Sequence, residues 1–297
     1  TMLDAPPLEP SDIANFDTKG YLIVRKALSA DVVESLLEAG DRLVASDLRT
    51  GRQMAGDGRY DGFRNTIALD PAFTDLIDHR TILPAVVQLL GADLQVMTSH
   101  LIYKQPDPPE LPDSTRLPGW HRDYAIAMRT MGHRAIPRLL VKCAYYLTDL
   151  TQLQQGATMV LPGSHLLEGQ PPVADGSVDP DGALEPSLQP GDCLIFENRT
   201  FHAGALNRGP HARKAIMVGY GHRWVMPMDY RSQSPEFVAG LSALRCFLVG
   251  EAYEEVEEFL PSGGRNPLQE WCEQHDVPAS RLPPVQGVGQ RSTGVDR

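Results

Sequence analysis

Cysteine is scarce in this chain: Cys143, Cys193, Cys246 and Cys272 are the only four in 297 residues, and no two form a Cys-x-x-Cys pair. That spacing excludes a disulfide framework and a cysteine-built structural zinc site. A reducing, cytoplasmic compartment is the default expectation. Positive charge is also short. Twenty-seven Lys and Arg stand against 38 Asp and Glu, a net charge of −11. Such a balance argues against a general nucleic-acid binder or a surface for anionic membranes. No apolar run approaches the roughly 20 residues of a membrane span, and no basic-then-apolar leader opens the chain. Internal repeats are absent. What remains is ordinary for a globular protein: 42% hydrophobic and 22% charged residues, with length enough for one large core.

Residues 3–11 are Pro-rich and polar and read as an arm. Gly20 then precedes the apolar run Tyr21-Leu22-Ile23-Val24, a strand after a glycine turn. Ser29 caps a segment with Val32, Val33, Leu36, Leu37 and Leu43 at helical spacing. Residues 48–62, rich in Gly, Arg and Asp, read as a loop, and Pro71 to Leu90 as one helix closing at Gly91. Strands are expected over 94–103, 139–147, 156–161, 193–196 and 214–220, with a long surface loop over 166–186. Residues 235–259 return to helical spacing. These features predict one domain over 1–297. Its helical N-terminal part covers about 12–90, its core 20–222, a helical or lid segment 223–262 and a polar tail 263–297. Helices flanking many short strands suggest a mainly β (α+β) fold with a closed or sandwiched core.

A Pro-rich loop delivers the chain to Trp120-His121-Arg122-Asp123. On an extended segment, side chains two apart share a face. An imidazole and a carboxylate so placed, with a second histidine from elsewhere, would form the facial triad of a non-haem Fe(II) site. Alone the triplet is weak, because a chain with nine histidines carries roughly one by chance. His202 follows a strand 79 residues after Asp123, and Arg213 opens the next strand eleven residues later. A guanidinium fork matches a carboxylate bidentately, as a dicarboxylate co-substrate would require. Taken singly, His202 is equally a satisfied loop histidine and Arg213 a solvated strand end.

The order of motifs resembles the phytanoyl-CoA dioxygenase family of Fe(II)- and 2-oxoglutarate-dependent oxygenases. The similarity runs from about Gly20 to Tyr220. It rests on GYLIVRKAL, the HRD triplet, QQGATMVLPGSH (154–165), PGDCLIFENRTFHAG (189–204) and the arginine eleven residues after the second histidine. The resemblance implies a double-stranded β-helix (jelly-roll, cupin-like) core. It implies His121, Asp123 and His202 as iron ligands and Arg213 as partner of the distal carboxylate of 2-oxoglutarate. It also suggests His100, Tyr145 and Arg64 as co-substrate pocket residues. Gly204 departs from the pattern, since many members carry a hydroxyl residue two after the distal histidine.

The implied cofactors are Fe(II), 2-oxoglutarate and O2. The implied activity oxidises, most simply hydroxylates, an unactivated C–H bond with release of succinate and CO2. The presence of Asp123 argues against halogenation, because related halogenases have a small residue there. Arg122, Tyr124, Met128 and Trp224 are candidates for substrate contact, the last within a Trp224-Met226-Met228-Tyr230 stretch suited to a lid. With no Lys/Arg cluster for a nucleotide phosphate, a natural-product or other small organic metabolite is expected over an acyl-CoA. The chain is expected to act as a monomer or homodimer, with no nucleic-acid or membrane partner. A cupin-like non-oxidative metal protein, a catalytically silent 2-oxoglutarate sensor and a zinc hydrolase remain open alternatives.

Overall fold

The computed structural model describes residues 3–132, 136–251 and 266–281. In chain order the elements are α1 (Pro10–Lys19), β1 (Tyr21–Val24), α2 (Ala30–Ala45), β2 (Arg52–Met54), β3 (Tyr60–Arg64), α3 (Pro71–Thr74), α4 (Ile82–Leu90) and β4 (Leu94–Lys104). There follow α5 (Ala125–Met131), β5 (Leu140–Tyr146), β6 (Thr158–Val160), β7 (Cys193–Glu197), β8 (His202–Gly204), β9 (Arg213–His222), α6 (Pro235–Ala239), α7 (Ala243–Leu248) and α8 (Pro267–Gln274). Seven strands form one antiparallel sheet in the order β1-β7-β5-β9-β4-β3-β2, and β6 pairs with β8 in a second, smaller sheet. This is the jelly-roll arrangement of two sheets.

Strand alternation sorts the large sheet into two faces. Cys143, Tyr145, Cys193, Ile195, Ile216, Val218 and Tyr220 pack under the helices, with Leu36, Val86 and Leu89. Ala144, Tyr146, Leu194, Phe196, Ala215 and Met217 point the other way, into the space between the sheets. In β4 the phase changes part-way. Leu94 and Val96 face the helices, but an irregularity between Val96 and Thr98 inserts one residue, after which Leu101 and Tyr103 do. A β-bulge shifts every later side chain to the opposite face. Thr98, His100, Ile102 and Lys104 therefore look between the sheets.

Several elements differ from the sequence expectation. The stretch 71–90 is two helices, because the seven residues between them are held out of helical form by Arg245, which bonds Asp78 at 2.7 Å and Asp75 at 2.9 Å. Residues 48–62 contain β2 and most of β3, pinned by the bidentate Arg52–Asp61 pair (3.1 and 2.7 Å). The N-terminal arm is docked: Leu8 exchanges two hydrogen bonds with the Gln88 side chain. The polar tail includes α8, capped by Asn266, which buries Leu268, Trp271 and Cys272. Residues 235–250 form the short α6 and α7 where longer helical spacing was read; residues 252–259 of that stretch, and 252–262 of the lid segment, lie outside the described residues. No described helix is long and apolar enough to cross a membrane.

Candidate metal centre and its cavity

His121 and His202 are cross-strand neighbours. Each donates its backbone N–H to the other's carbonyl at 3.0 Å, so both side chains leave the same face. Asp123, two residues on, joins them. The ligand-capable atoms of His121, Asp123 and His202 all lie within 4.8 Å of one another.

Each imidazole has its Nδ1 engaged by a main-chain carbonyl, His121 with Gly119 at 2.7 Å and His202 with Thr200 at 3.0 Å. Both Nε2 atoms are thereby left for a metal, with ring orientation fixed by the bond on the other nitrogen. Burial pushes His202 down to about 4, against the opposing pull of Asp123, so its ring is neutral at pH 7. Burial would raise the Asp123 carboxyl, but the Lys142 ammonium 2.7 Å away and the two histidines overcome it and hold the group well below the usual carboxylate range. A neutral imidazole at His202 and an ionised carboxylate at Asp123 are the protonation states that metal binding requires.

The segment between the ligands is braced from behind. Arg122 points away from the cavity, lies over the Phe201 ring, and donates to the carbonyls of Ser164 and Leu167, both at 2.7 Å. Ser164 in turn accepts from the Phe201 N–H at 2.8 Å. The Pro162-Gly163-Ser164-His165 turn thus ties together the two segments that carry the ligands.

A cavity of about 220 Å³ opens beside the three side chains, and its lining includes Tyr60, Arg64, His100, Lys142, Thr158 and Arg213. Arg213 is buried, and its Nε and Nη1 find no acceptor among the described residues. A buried guanidinium with two idle donors is costly unless an anion completes it. His100 shares a short hydrogen bond with Tyr60; burial, then Arg64, Lys142 and Arg213, push its imidazole well down. Arg64 reaches Thr98 Oγ1 at 3.1 Å and Asp229 at 3.7 Å.

Not every residue singled out from sequence belongs here. Tyr145 points to the opposite face of β5, into the core under the helices, with its ring 6.2 Å from that of His79. Its neighbour Tyr146 faces the cavity side and donates to Thr158 Oγ1 at 2.7 Å. Tyr124 and Met128 pack in a separate apolar cluster with Met97 and Val225. Trp224 is exposed and stacks on His222 at 5.5 Å; Met226 and Met228 are exposed too, so this stretch forms no cover over the cavity. Tyr60, Thr158 and Lys142 were missed. Tyr60 stood in a presumed loop, and the parity that turns Lys142 and Tyr146 inward cannot be counted without a known face.

Gly204 has a steric reason. A Cβ there would lie 2.1 Å from the Leu117 carbonyl oxygen. The hydroxyl expected two residues after the distal histidine has no room.

The phytanoyl-CoA dioxygenase (PhyH) profile matches residues 16–215. The chain belongs to this family. The dioxygenase cdmD of Talaromyces verruculosus is 23% identical over 265 residues, 80% of this chain and 82% of that one. The iron/alpha-ketoglutarate-dependent dioxygenase ausU of Aspergillus calidoustus is 27% identical over 214 residues, covering 68% and 67% of the two chains. Among solved structures, the epimerase SnoN, crystallised with Fe3+, alpha ketoglutarate and nogalamycin RO, superposes with a TM-score of 0.57. It is 20% identical, with 76% of this chain and 91% of that one covered. The family match and the shared fold place this phytanoyl-CoA dioxygenase-type enzyme among jelly-roll oxygenases.

Proposed function

We propose that the chain is an Fe(II)- and 2-oxoglutarate-dependent dioxygenase that hydroxylates an unactivated C–H bond of a small organic metabolite. A natural-product intermediate fits best, in keeping with the nogalamycin compound in the related epimerase. The observation that carries the reading is the pairing, in one cavity, of the His-Asp-His cluster with the unpartnered Arg213 guanidinium. A non-oxidative metal protein of the same fold has no use for a buried cation with idle donors.

The donor set suits iron: two imidazole nitrogens and one carboxylate oxygen on one face leave the opposite positions open. His121, Asp123 and His202 would hold the metal, and Arg213 would take the distal carboxylate of 2-oxoglutarate. With O2, the iron and keto acid supply the oxidative decarboxylation to succinate and CO2 that is coupled to C–H oxidation. The chain's part is positioning. Main-chain carbonyls orient both histidines, Lys142 keeps Asp123 ionised, and the walls of β4, β5 and β9 keep the co-substrate in a dry slot. Thr158, across the ladder from Gly204, offers the hydroxyl that Gly204 cannot.

The test is an anaerobic titration of apoprotein with Fe(II) and then 2-oxoglutarate, followed by air and a succinate assay. A metal-to-ligand charge-transfer band and slow succinate release are expected. Iron binding without the band would favour the cupin-like alternative, and a band without any succinate would favour the silent sensor.

A further inference from the structure

Residues 116–120 belong to no helix or strand, yet two parts of the site depend on them. Leu117 and Pro118 line the cavity, and Leu117 is also 43% exposed, so they stand where the cavity meets solvent. The Leu117 carbonyl accepts from Lys104 Nζ at 3.4 Å. Lys104 and Arg213 are cross-strand neighbours, which puts this wall at the Arg213 end. One residue on, the Gly119 carbonyl accepts from His121 Nδ1 and so sets that ring. The segment rests directly on β8. Leu117 donates its N–H to the Gly204 carbonyl at 3.1 Å, and Gly204 donates to that of Pro118 at 2.9 Å.

An irregular segment needs side-chain partners for what no ladder supplies. Here the side chains at its two ends converge on one acid, Asp179. Arg116 donates to Asp179 Oδ1 from Nε at 2.8 Å and to Oδ2 from Nη2 at 2.5 Å. Trp120 Nε1 donates to the same Oδ1 at 2.9 Å. A lone surface ion pair contributes little, but a bidentate fork shared with an indole N–H fixes the geometry at three points. Asp179 has an anchored base of its own. Five residues on, Leu184 exchanges two backbone bonds with Val160, at 2.9 and 2.8 Å, and Ala183 packs with Trp120, Met159 and Ala203. Met159 and Ala203 alternate with Thr158 and His202, so this is the face of the small sheet turned away from the cavity.

We infer that Asp179 is a positioning residue for the metal centre and for the co-substrate end of the cavity. The inference rests on the iron- and 2-oxoglutarate-dependent reading above. Asp179 is neither in the His-Asp-His cluster nor in the cavity lining. It acts through others, holding Arg116 and Trp120 in fixed relation. That keeps the Gly119 carbonyl against His121 and keeps Leu117 and Pro118 closed over the Arg213 end. Without it the His121 ring loses its fixed orientation, and the co-substrate loses a wall.

Two quantities test this, both measured anaerobically. Fe(II) affinity is read by competition with a chelator, and 2-oxoglutarate release as decay of the charge-transfer band after rapid dilution. Asp179→Ala is expected to lose about tenfold or more in Fe(II) affinity, the scale of outer-shell partners of metal ligands, and to release 2-oxoglutarate several-fold faster. Asp179→Asn keeps one acceptor and is expected to show smaller losses in the same direction. Asp4→Ala is the control: Asp4 also takes three side-chain bonds, from Arg80 and Thr81, but at the docked N-terminal arm. It is expected to change neither quantity. Either quantity unchanged in Asp179→Ala, or in Asp179→Asn where only that variant melts cooperatively, overturns the inference. So does an equal loss in Asp4→Ala, which would make the effect one of general stability. Failure of the parent protein to bind Fe(II) or 2-oxoglutarate would instead overturn the function proposed above.

Discussion

Thr158 sits directly opposite Gly204 in the β6–β8 ladder, with its hydroxyl accepting from Tyr146 at 2.7 Å. Since Tyr146 fills an acceptor position, the Thr158 proton is free to point into the cavity, where a co-substrate carboxylate would take it. A hydrogen bond to a charged group contributes about 1.5–3 kcal/mol. Thr158→Val should therefore weaken 2-oxoglutarate binding by about 10- to 100-fold, measured as the midpoint of the charge-transfer titration, while Fe(II) affinity is retained.

The two adjacent tyrosines of β5 should behave oppositely. Tyr145 buries a hydroxyl that finds no partner among the described residues, so Tyr145→Phe should leave 2-oxoglutarate affinity intact and the melting temperature unchanged or raised. Tyr146→Phe removes the donor that orients Thr158 and should lower 2-oxoglutarate affinity. A deficit confined to Tyr145→Phe would mean that the pocket lies on the other face of the sheet.

Arg213 trades stability for function. Burial pushes its guanidinium down from the ordinary value, and two of its nitrogens have no partner among the described residues. Replacing such a buried ion with an apolar side chain of similar volume is often stabilising by about 1–4 kcal/mol. Arg213→Met should raise the melting temperature of the apoprotein while abolishing 2-oxoglutarate binding. A variant that melts lower and still binds the keto acid would remove Arg213 from the site.

Lys104 makes the cavity sensitive to alkaline pH. Burial pushes its ammonium down to about 8, with Asp107 opposing. In the folded protein the proton leaves near pH 8, whereas an unfolded lysine keeps it to about 10.4. The unfolded chain thus binds more protons between those values, and the Lys104 contribution to stability rises with pH across that window. Affinity for the 2-oxoglutarate dianion should move the other way, weakening several-fold from pH 7 to 9 as a positive charge near Arg213 is lost. Titrations at both pH values check this, and Lys104→Met should flatten the dependence.

Some of this was legible in the chain alone, and the reason is locality. The His-x-Asp triplet, the second histidine after a strand and the arginine eleven residues on are short-range patterns, and strand geometry turns each into a statement about faces. The Ser29 cap and the run from Val32 to Leu43 specify α2 in the same way. Those patterns, in order, also carry the family resemblance.

Tertiary structure decided everything that depends on parity or on distant partners. The bulge after Val96 sends His100 and Lys104 inward, and one residue of register separates the buried Tyr145 from the cavity-side Tyr146. The break between α3 and α4 depends on Arg245, more than 160 residues away. Gly204 looked like a lost hydrogen bond until the Leu117 carbonyl was seen to fill its space. Arg122, read as a substrate contact, faces backwards because the residue between two ligands on an extended segment must. Lys142 carried no signal in sequence: a lysine within an apolar strand shows neither which face it takes nor that the acid awaiting it is itself a candidate metal ligand.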